Sequence, residues 1–293
     1  MSLPQRFIGD VLVSAIGLGA MPMSVEGRPD EARSIRTIQA ALDAGVTLID
    51  TANAYHLGAD QVGHDETGHN EVLVAKALAS WGGDAANVLI ATKGGHLRTN
   101  DGTWVLDGRP EEIKRAAKDS AARLGVDAIG LYQHHRPDPK VPYAETIGAF
   151  AELLDEGVIR LAGISNADPA QIRLANEVLG GRLSAVQNQF SPAFRSSLPE
   201  LELCAELGIA FLSWSPLGGI RRAAELGARF ARFAEVSHAH GVSPQQVCLA
   251  WQLALSLTVI PIPGASRPES ILDSLDALQL QLTDEELDIL GAA

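Results

Sequence analysis

One repeated pattern limits the fold of this chain more than any other feature: a helical segment ends at glycine, and a short β-branched run begins at once. It occurs as LDAG-VTLID at 42–50, ARLG-VDAIGLYQ at 122–133, LDEG-VIRLAGIS at 154–165 and AELG-IAFLSW at 205–214. Glycine suits the left-handed position that stops a helix, and the Val and Ile that follow favour a strand. Runs at 87–92, 184–189 and 257–260 continue the alternation without the glycine. Apolar spacing predicts helices over 29–44, 70–81, 110–124 and 143–156. Arg109-Pro110-Glu111-Glu112 places proline and acids in one first turn. Strand and helix alternate about eight times, which predicts parallel strands joined by right-handed crossovers.

Two folds share that grammar, the closed barrel and the open doubly wound sheet. An open dinucleotide-binding sheet calls for G-x-G-x-x-G after its first strand. Gly17-Leu18-Gly19-Ala20-Met21-Pro22 supplies two of the glycines and puts proline at the third. The number of units and the length of 293 residues favour a (β/α)8 TIM barrel, with extra helices near the C-terminus. No Pro/Ser-rich linker or low-complexity tract divides the chain, so 1–293 is expected to form one domain.

Apolar residues at 46% and charged residues at 20% supply an ordinary core and surface. A formal charge of −13 argues against nucleic acid, which needs a basic face. It leaves room for a small anion in one local basic pocket. Cys204 and Cys248 are the only cysteines; both sit in apolar helical surroundings and read as buried thiols rather than a disulfide framework or zinc site. Val11 to Met21 is apolar enough to imitate a signal core, but Asp10 precedes it and glycines interrupt it. Val247 to Pro263 carries Gln252 and two prolines and does not read as a membrane span. The cytoplasm is the expected compartment.

In a barrel, chemistry gathers at the C-terminal ends of the strands. The inferred ends carry Asp50, Lys93, His135, Ser165-Asn166, Gln187 and Trp214. Lys93 leaves a buried strand, where lysine is rare unless paired, and Asp50 on the next strand is the natural partner. Asp50 by itself reads more readily as a cap on the following turn. An ammonium beside a phenol stabilises phenolate and is expected to lower its pKa, making Tyr55 a proton donor near neutral pH. Carbonyl reduction requires such a donor. Of the three tyrosines, Tyr132 falls within a strand and Tyr143 opens a helix, which leaves Tyr55 in a polar loop. His134 and His135 end one strand, and alternation lets only one face the mouth. A neutral imidazole there can orient a carbonyl. Periodicity does not choose between the two.

GLGAM (17–21), GVTLIDTANAY (45–55), ATKGG (91–95), LYQHHRPDP (131–139), GISN (163–166), VQNQFSP (186–192), WSPLGG (214–219) and IPIPGASRPES (260–270) together resemble the aldo-keto reductases, in the family's order and over nearly the whole chain. The resemblance implies a catalytic tetrad of Asp50, Tyr55, Lys93 and His135, the histidine being the one just before Arg136-Pro137. It implies NADPH bound extended, without a Rossmann domain, and reduction of a small aldehyde or ketone. Ser165, Asn166 and Gln187 would hold the carboxamide, and Trp214 would stack on the nicotinamide. Gly19, Ala20 and Met21 would border the same cofactor. Ser215, Pro216, Leu217 and Gly218 would follow the pyrophosphate, and Gly264, Ser266 and Arg267 would take the 2′-phosphate. Ile262 stands where many members carry Lys, and Asp273-Ser274 where a Glu-Asn pair often contacts adenine. These departures leave NADH open beside NADPH.

Other readings stay beside this one. His56, His64 and His69 with Asp60, Asp65 and Glu66 could be imagined around a metal, but glycine-rich spacing fixes no ligand geometry and a solvated substrate-side loop is the simpler expectation. Trp81 and Trp251 read as helix packing. Trp104, near the turn Asn100-Asp101-Gly102, is a candidate wall of the substrate pocket, and Phe190 and Phe194 read equally as core or substrate contacts. Substrate walls are expected from loops 56–69, 96–109 and 218–229, the last short enough to leave the pocket open. Rival functions are a nucleotide-sensing subunit of the potassium-channel β type, and an aldolase using Lys93 as a Schiff-base amine. A monomer or weak homo-oligomer is expected.

Overall fold

The computed structural model describes residues 3–220 and 222–292. Eight parallel strands form one sheet: β1 (Leu18–Gly19), β2 (Leu48–Asp50), β3 (Leu89–Gly94), β4 (Ile129–His134), β5 (Ile159–Ser165), β6 (Leu183–Gln189), β7 (Ala210–Trp214) and β8 (Val259–Pro261). Each pairs with the next in sequence. The two ends meet through a parallel bridge between Gly19 and Gly264, supported by Gly17 N to Pro261 O and Gly19 N to Pro263 O, both 3.0 Å. The result is a closed (β/α)8 barrel. A Cβ on Gly19 would lie 2.9 Å from the Ile262 carbonyl, so this seam closes only because the residue is glycine.

The helices run at Glu31–Asp43, His69–Ala79, Pro110–Leu124, Tyr143–Asp155, Pro169–Val178 and Leu198–Leu207. Four more, at Ala231–His240, Pro244–Leu255, Pro268–Asp276 and Asp284–Gly291, crowd the C-terminal third. The helices expected from spacing appear within a few residues of their predicted bounds. The run at 87–92 starts later than expected: Ala85–Asn87 is a 3-10 turn, and the strand continues to Gly94, taking Lys93 into it.

Two antiparallel hairpins were not foreseen. Gln5–Ile8 pairs with Val11–Ser14, and Ile8 and Val13 join Leu48, Leu89, Leu131, Leu161, Leu212 and Ile260 inside the barrel. The apolar run that imitates a signal core therefore begins as a plug for the barrel interior. His96–Arg98 pairs with Trp104–Leu106 across a turn at Asn100-Asp101-Gly102. This second hairpin stands over the mouth.

Alternation sorts every strand. Leu48, Ala91, Leu131, Ala185, Leu212 and Ile260 pack inside the barrel. Ile49, Ile90, Tyr132, Val186, Phe211 and Val259 pack outward against helices. Two residues beyond the inward set come Asp50, Lys93, Gln133, Gln187, Trp214 and Ile262, so the interior layer hands over to the functional layer by parity alone.

Candidate active site

Lys93 is fully buried and uses all three ammonium protons: on Asp50 Oδ2 at 2.7 Å, Thr51 O at 2.9 Å and Tyr55 Oη at 3.2 Å. Burial opposes its charge, yet Asp50 and Tyr55 together raise its pKa above the ordinary lysine value, so it stays an ammonium. Asp50 also accepts from Gln187 Nε2 at 2.8 Å and Gln133 Nε2 at 3.3 Å. A buried carboxylate is tolerated because each oxygen has donors. Gln133 is a member that the sequence reading missed. A polar amide at the end of the run Ile129–Tyr132 was the available signal.

Tyr55 departs from expectation in one respect. Burial is the largest influence on its phenol and raises the pKa above 10.0; the pull of Lys93 downward is second, and Asp50 pushes up again. The phenol is held above its usual value, not below it. A phenol that keeps its proton still suits donation to a carbonyl.

His135 stands on the inward parity of Leu131 and Gln133, with its ring 5.6 Å from that of Tyr55, edge to face. Burial first, then Lys93, His96 and Arg136, hold its pKa well below 6.5, so the imidazole is neutral. His134 points outward between Tyr143 and Phe150 at 5.7 and 6.1 Å.

One cavity of about 820 Å³ joins these groups to the rest of the predicted set, within the usual range for small-molecule sites. Asp50, Tyr55, His135, Ser165, Asn166, Gln187 and Trp214 line one part; Gly19, Met21, Ser215, Pro216, Leu217, Ile262, Gly264, Ser266, Arg267, Asp273 and Ser274 line the remainder. Three of the predicted residues are not in the lining, Lys93 among them, which stands behind Asp50 and Tyr55. Ala20 is fully buried with its carbonyl accepting from Asn70 Nδ2 at 2.9 Å, and Gly218 yields its place to Gly219.

The polar ends are fixed from behind. Asn166 Nδ2 donates to His135 O and Ser165 Oγ, both at 3.0 Å, and Ser165 Oγ donates to Gln187 O at 2.7 Å. Asn188 clamps Ala167 through its carbonyl and amide. Gln252, buried on Pro244–Leu255, holds Pro216 O at 2.9 Å and accepts from Ser213 Oγ at 2.8 Å. Among the described residues, Asn166 (φ 57°) and Ser215 (φ 49°) are the only non-glycines with positive φ. Both line the cavity, where stored strain most often has a use.

One of the predicted walls needs correction. No residue of loop 56–69 lines the cavity. His56 is buried, Glu66 takes a bidentate bond from Arg28 at 2.7 and 2.9 Å, and His69 meets Ser24 Oγ at 2.8 Å. His96 and Trp104 from the second hairpin supply the wall expected from 96–109, with Arg136 beside them in the lining. Gly219, Ile220, Ala223 and Ala224 supply the wall expected from 218–229. Phe190 stacks on Trp251 in the core, and Phe194 lies outside the lining. No helix among the described residues is long and apolar enough to cross a membrane.

A closed barrel whose strand ends gather a buried lysine, aspartate and tyrosine beside a neutral histidine defines a class of barrel site built to exchange a proton at a bound carbonyl or alcohol. The chain belongs to the Aldo/keto reductase family, whose sequence model matches residues 15–293, and with it to oxidoreductases acting on carbonyl and alcohol groups. An uncharacterized oxidoreductase of Schizosaccharomyces pombe is 32% identical over 284 residues, covering 95% of this chain and 86% of its relative. A 6-dehydroglucose reductase of Novosphingobium aromaticivorans is 33% identical over 279 residues, 92% and 88% of the two chains. Among solved structures, the glycerol dehydrogenase from Gluconobacter oxydans superposes with a TM-score of 0.84 at 27% identity, covering 100% of this chain and 95% of that one.

Proposed function

We propose that this protein, acting as one domain over 1–293 in the cytoplasm, reduces an aldehyde or ketone with NADPH, Tyr55 donating the proton. The observation that carries the reading is the Lys93 ammonium bonded to both Asp50 and Tyr55 at the edge of a cavity that continues past Trp214 to Arg267.

The residues present fit a nicotinamide dinucleotide. The Nδ2 of Asn166 and Nε2 of Gln187 are held by the protein, which leaves their oxygens to accept from a carboxamide. The half-buried ring of Trp214 offers a π face. Gly264 and Ser266 lie just before Pro268–Asp276, and Arg267, with Nε on Ser270 Oγ at 2.9 Å, still has its terminal nitrogens for a phosphate. When bound, the reduced cofactor supplies hydride to the carbonyl carbon. Asp273 is occupied by Ser243 and Gln246 at 3.0 and 2.7 Å, and Ile262 brings no charge. Arg267 is therefore the lone cation lining that end among the described residues, and NADH remains a usable second cofactor.

The proton chemistry belongs to this chain. A carbonyl oxygen between Tyr55 and His135 accepts a hydrogen bond from each. As negative charge grows on that oxygen, the phenol proton moves to it, and Lys93 stabilises the phenolate left behind. Asp50 keeps Lys93 charged and in place. The Schiff-base alternative needs a neutral amine facing substrate. Lys93 is charged, has no free proton, and stands behind Tyr55 rather than in the lining.

Tyr55→Phe tests the reading. Reduction of 4-nitrobenzaldehyde by the variant should fall by about 10²- to 10⁴-fold, while NADPH still quenches tryptophan fluorescence with unchanged affinity. Turnover at the wild-type rate would remove Tyr55 from the chemistry.

A further inference from the structure

The substrate end of the cavity contains one cation without a partner. Arg136 lines it, is solvent-exposed, and has no hydrogen bond or ion pair among the described residues. The nearest acid along the chain, Asp138, accepts from the amides of Gly108 at 3.0 Å and Lys140 at 2.9 Å. Asp50 is neutralised by Lys93. His96 is kept uncharged near neutrality, its pKa lowered to about 4 by burial first and by Arg136 second. The other acids lining the cavity, Glu269 and Asp273, stand on Pro268–Asp276 at the cofactor end. Among the described residues, the net charge facing a substrate is thus the Arg136 guanidinium, in a chain whose overall charge is −13.

An aromatic pair lines the same end of the cavity. The rings of His96 and Trp104 lie 4.9 Å apart and tilted by 37°. Arg98 sits 5.1 Å from the Trp104 ring and is itself held by Glu26, His56 O and Gly102 O, which fixes the wall rather than charging the pocket. Arg136 follows His135 directly, so a cation is placed within one small molecule's length of the oxygen that Tyr55 and His135 address.

Resting on the reductase reading, we propose that the site selects carbonyl compounds bearing an anionic oxygen group, a carboxylate or a phosphate, which Arg136 binds while the carbonyl lies between Tyr55 and His135. A planar guanidinium suits either anion in bidentate fashion. The flat body between the two polar ends rests on His96 and Trp104.

The test compares kcat/KM with NADPH for benzaldehyde, 4-nitrobenzaldehyde, 4-carboxybenzaldehyde and 4-formylphenyl phosphate. Wild-type protein should prefer at least one anionic aldehyde over benzaldehyde by about tenfold or more, and added salt should raise KM for the anion alone. Arg136→Met should erase that preference through KM for the anionic aldehydes, with a clearly smaller loss for 4-nitrobenzaldehyde; Arg136→Lys should restore part of it. Whichever anion is preferred identifies the group. Reduction of 4-nitrobenzaldehyde with no anion preference, or equal losses for neutral and anionic aldehydes in Arg136→Met, overturns this proposal and leaves the reductase standing. Failure of the wild type to reduce any of the four aldehydes overturns the reductase reading itself.

Discussion

Thr92 and Lys93 are neighbours on one strand, and each touches a buried acid on opposite sides of the barrel wall. Outward, Thr92 Oγ1 donates to Glu71 Oε1 at 2.6 Å, and Arg123 Nε holds Glu71 Oε2 at 2.6 Å. Inward, Lys93 holds Asp50 and reaches on to Tyr55. Both acids belong to buried ion pairs, which alone are weak evidence for function or for stability. The difference is what lies beyond them. The Glu71 group is closed by helices and ties His69–Ala79 to Pro110–Leu124. The Asp50 group ends on a phenol that borders a cavity, so its charge acts on whatever enters. A buried pair becomes a candidate site when one of its partners has an open face.

Breaking the ion pair on each side should separate the two roles. Lys93→Met is expected to lower 4-nitrobenzaldehyde turnover by about 10²- to 10⁴-fold and to destabilise the fold by leaving Asp50 unpaired. Adding Asp50→Asn to that variant should return most of the lost stability, since Gln133 and Gln187 can adjust to an amide, and none of the turnover. An active double variant would mean that the inner pair only packs the barrel. On the outer side, Glu71→Ala should cost about 3 kcal/mol in denaturant unfolding, the low end for breaking a buried pair because Arg123 can turn to water. Its kcat, per folded molecule, should stay within about twofold of wild type. A large fall in kcat at unchanged folding would show that the outer network positions Lys93 through the strand.

The same strand explains how far the sequence could be read. The helix–glycine–strand repeat made the barrel legible, because Gly125, Gly157 and Gly208 take the left-handed conformation that their spacing demands. Lys93 and Asp50 were legible because charges on apolar strands need partners. The hairpins were not. Gln5–Ile8 and Val11–Ser14 are four residues each, too short for a period to emerge, and their value lies in plugging distant strands. The choice between His134 and His135 failed for another reason. Both faces of a parallel strand are apolar, so Leu131 and Tyr132 gave no hint of which was inside until the barrel placed them. The resemblance supplied that choice, and parity now accounts for it. The sign of the Tyr55 shift was missed because burial, the larger influence, belongs to the assembled site and not to the residue beside it.

His134 and His135 offer the smallest and finest test of inside against outside. Both imidazoles are neutral in the folded protein. His134 is lowered to about 4 by burial, and His135 well below 6.5 by burial and by Lys93. In the unfolded chain each takes a proton near pH 6.5. A base with a depressed folded pKa contributes stability that is full above the unfolded value and is lost as pH falls toward the folded one. The Tm should therefore decline between pH 7.5 and 5.5, before most carboxylates titrate. His134→Phe, with a ring that fits between Tyr143 and Phe150, should make that decline shallower while leaving the pH profile of turnover unchanged. That profile should be flat over the same range, because neither the Tyr55 phenol, raised above 10.0, nor the His135 imidazole titrates within it. A Tm decline as steep in His134→Phe as in wild type would assign the acid sensitivity to groups other than the outward histidine, and would leave the parity of this strand as a matter of geometry without a measurable energy.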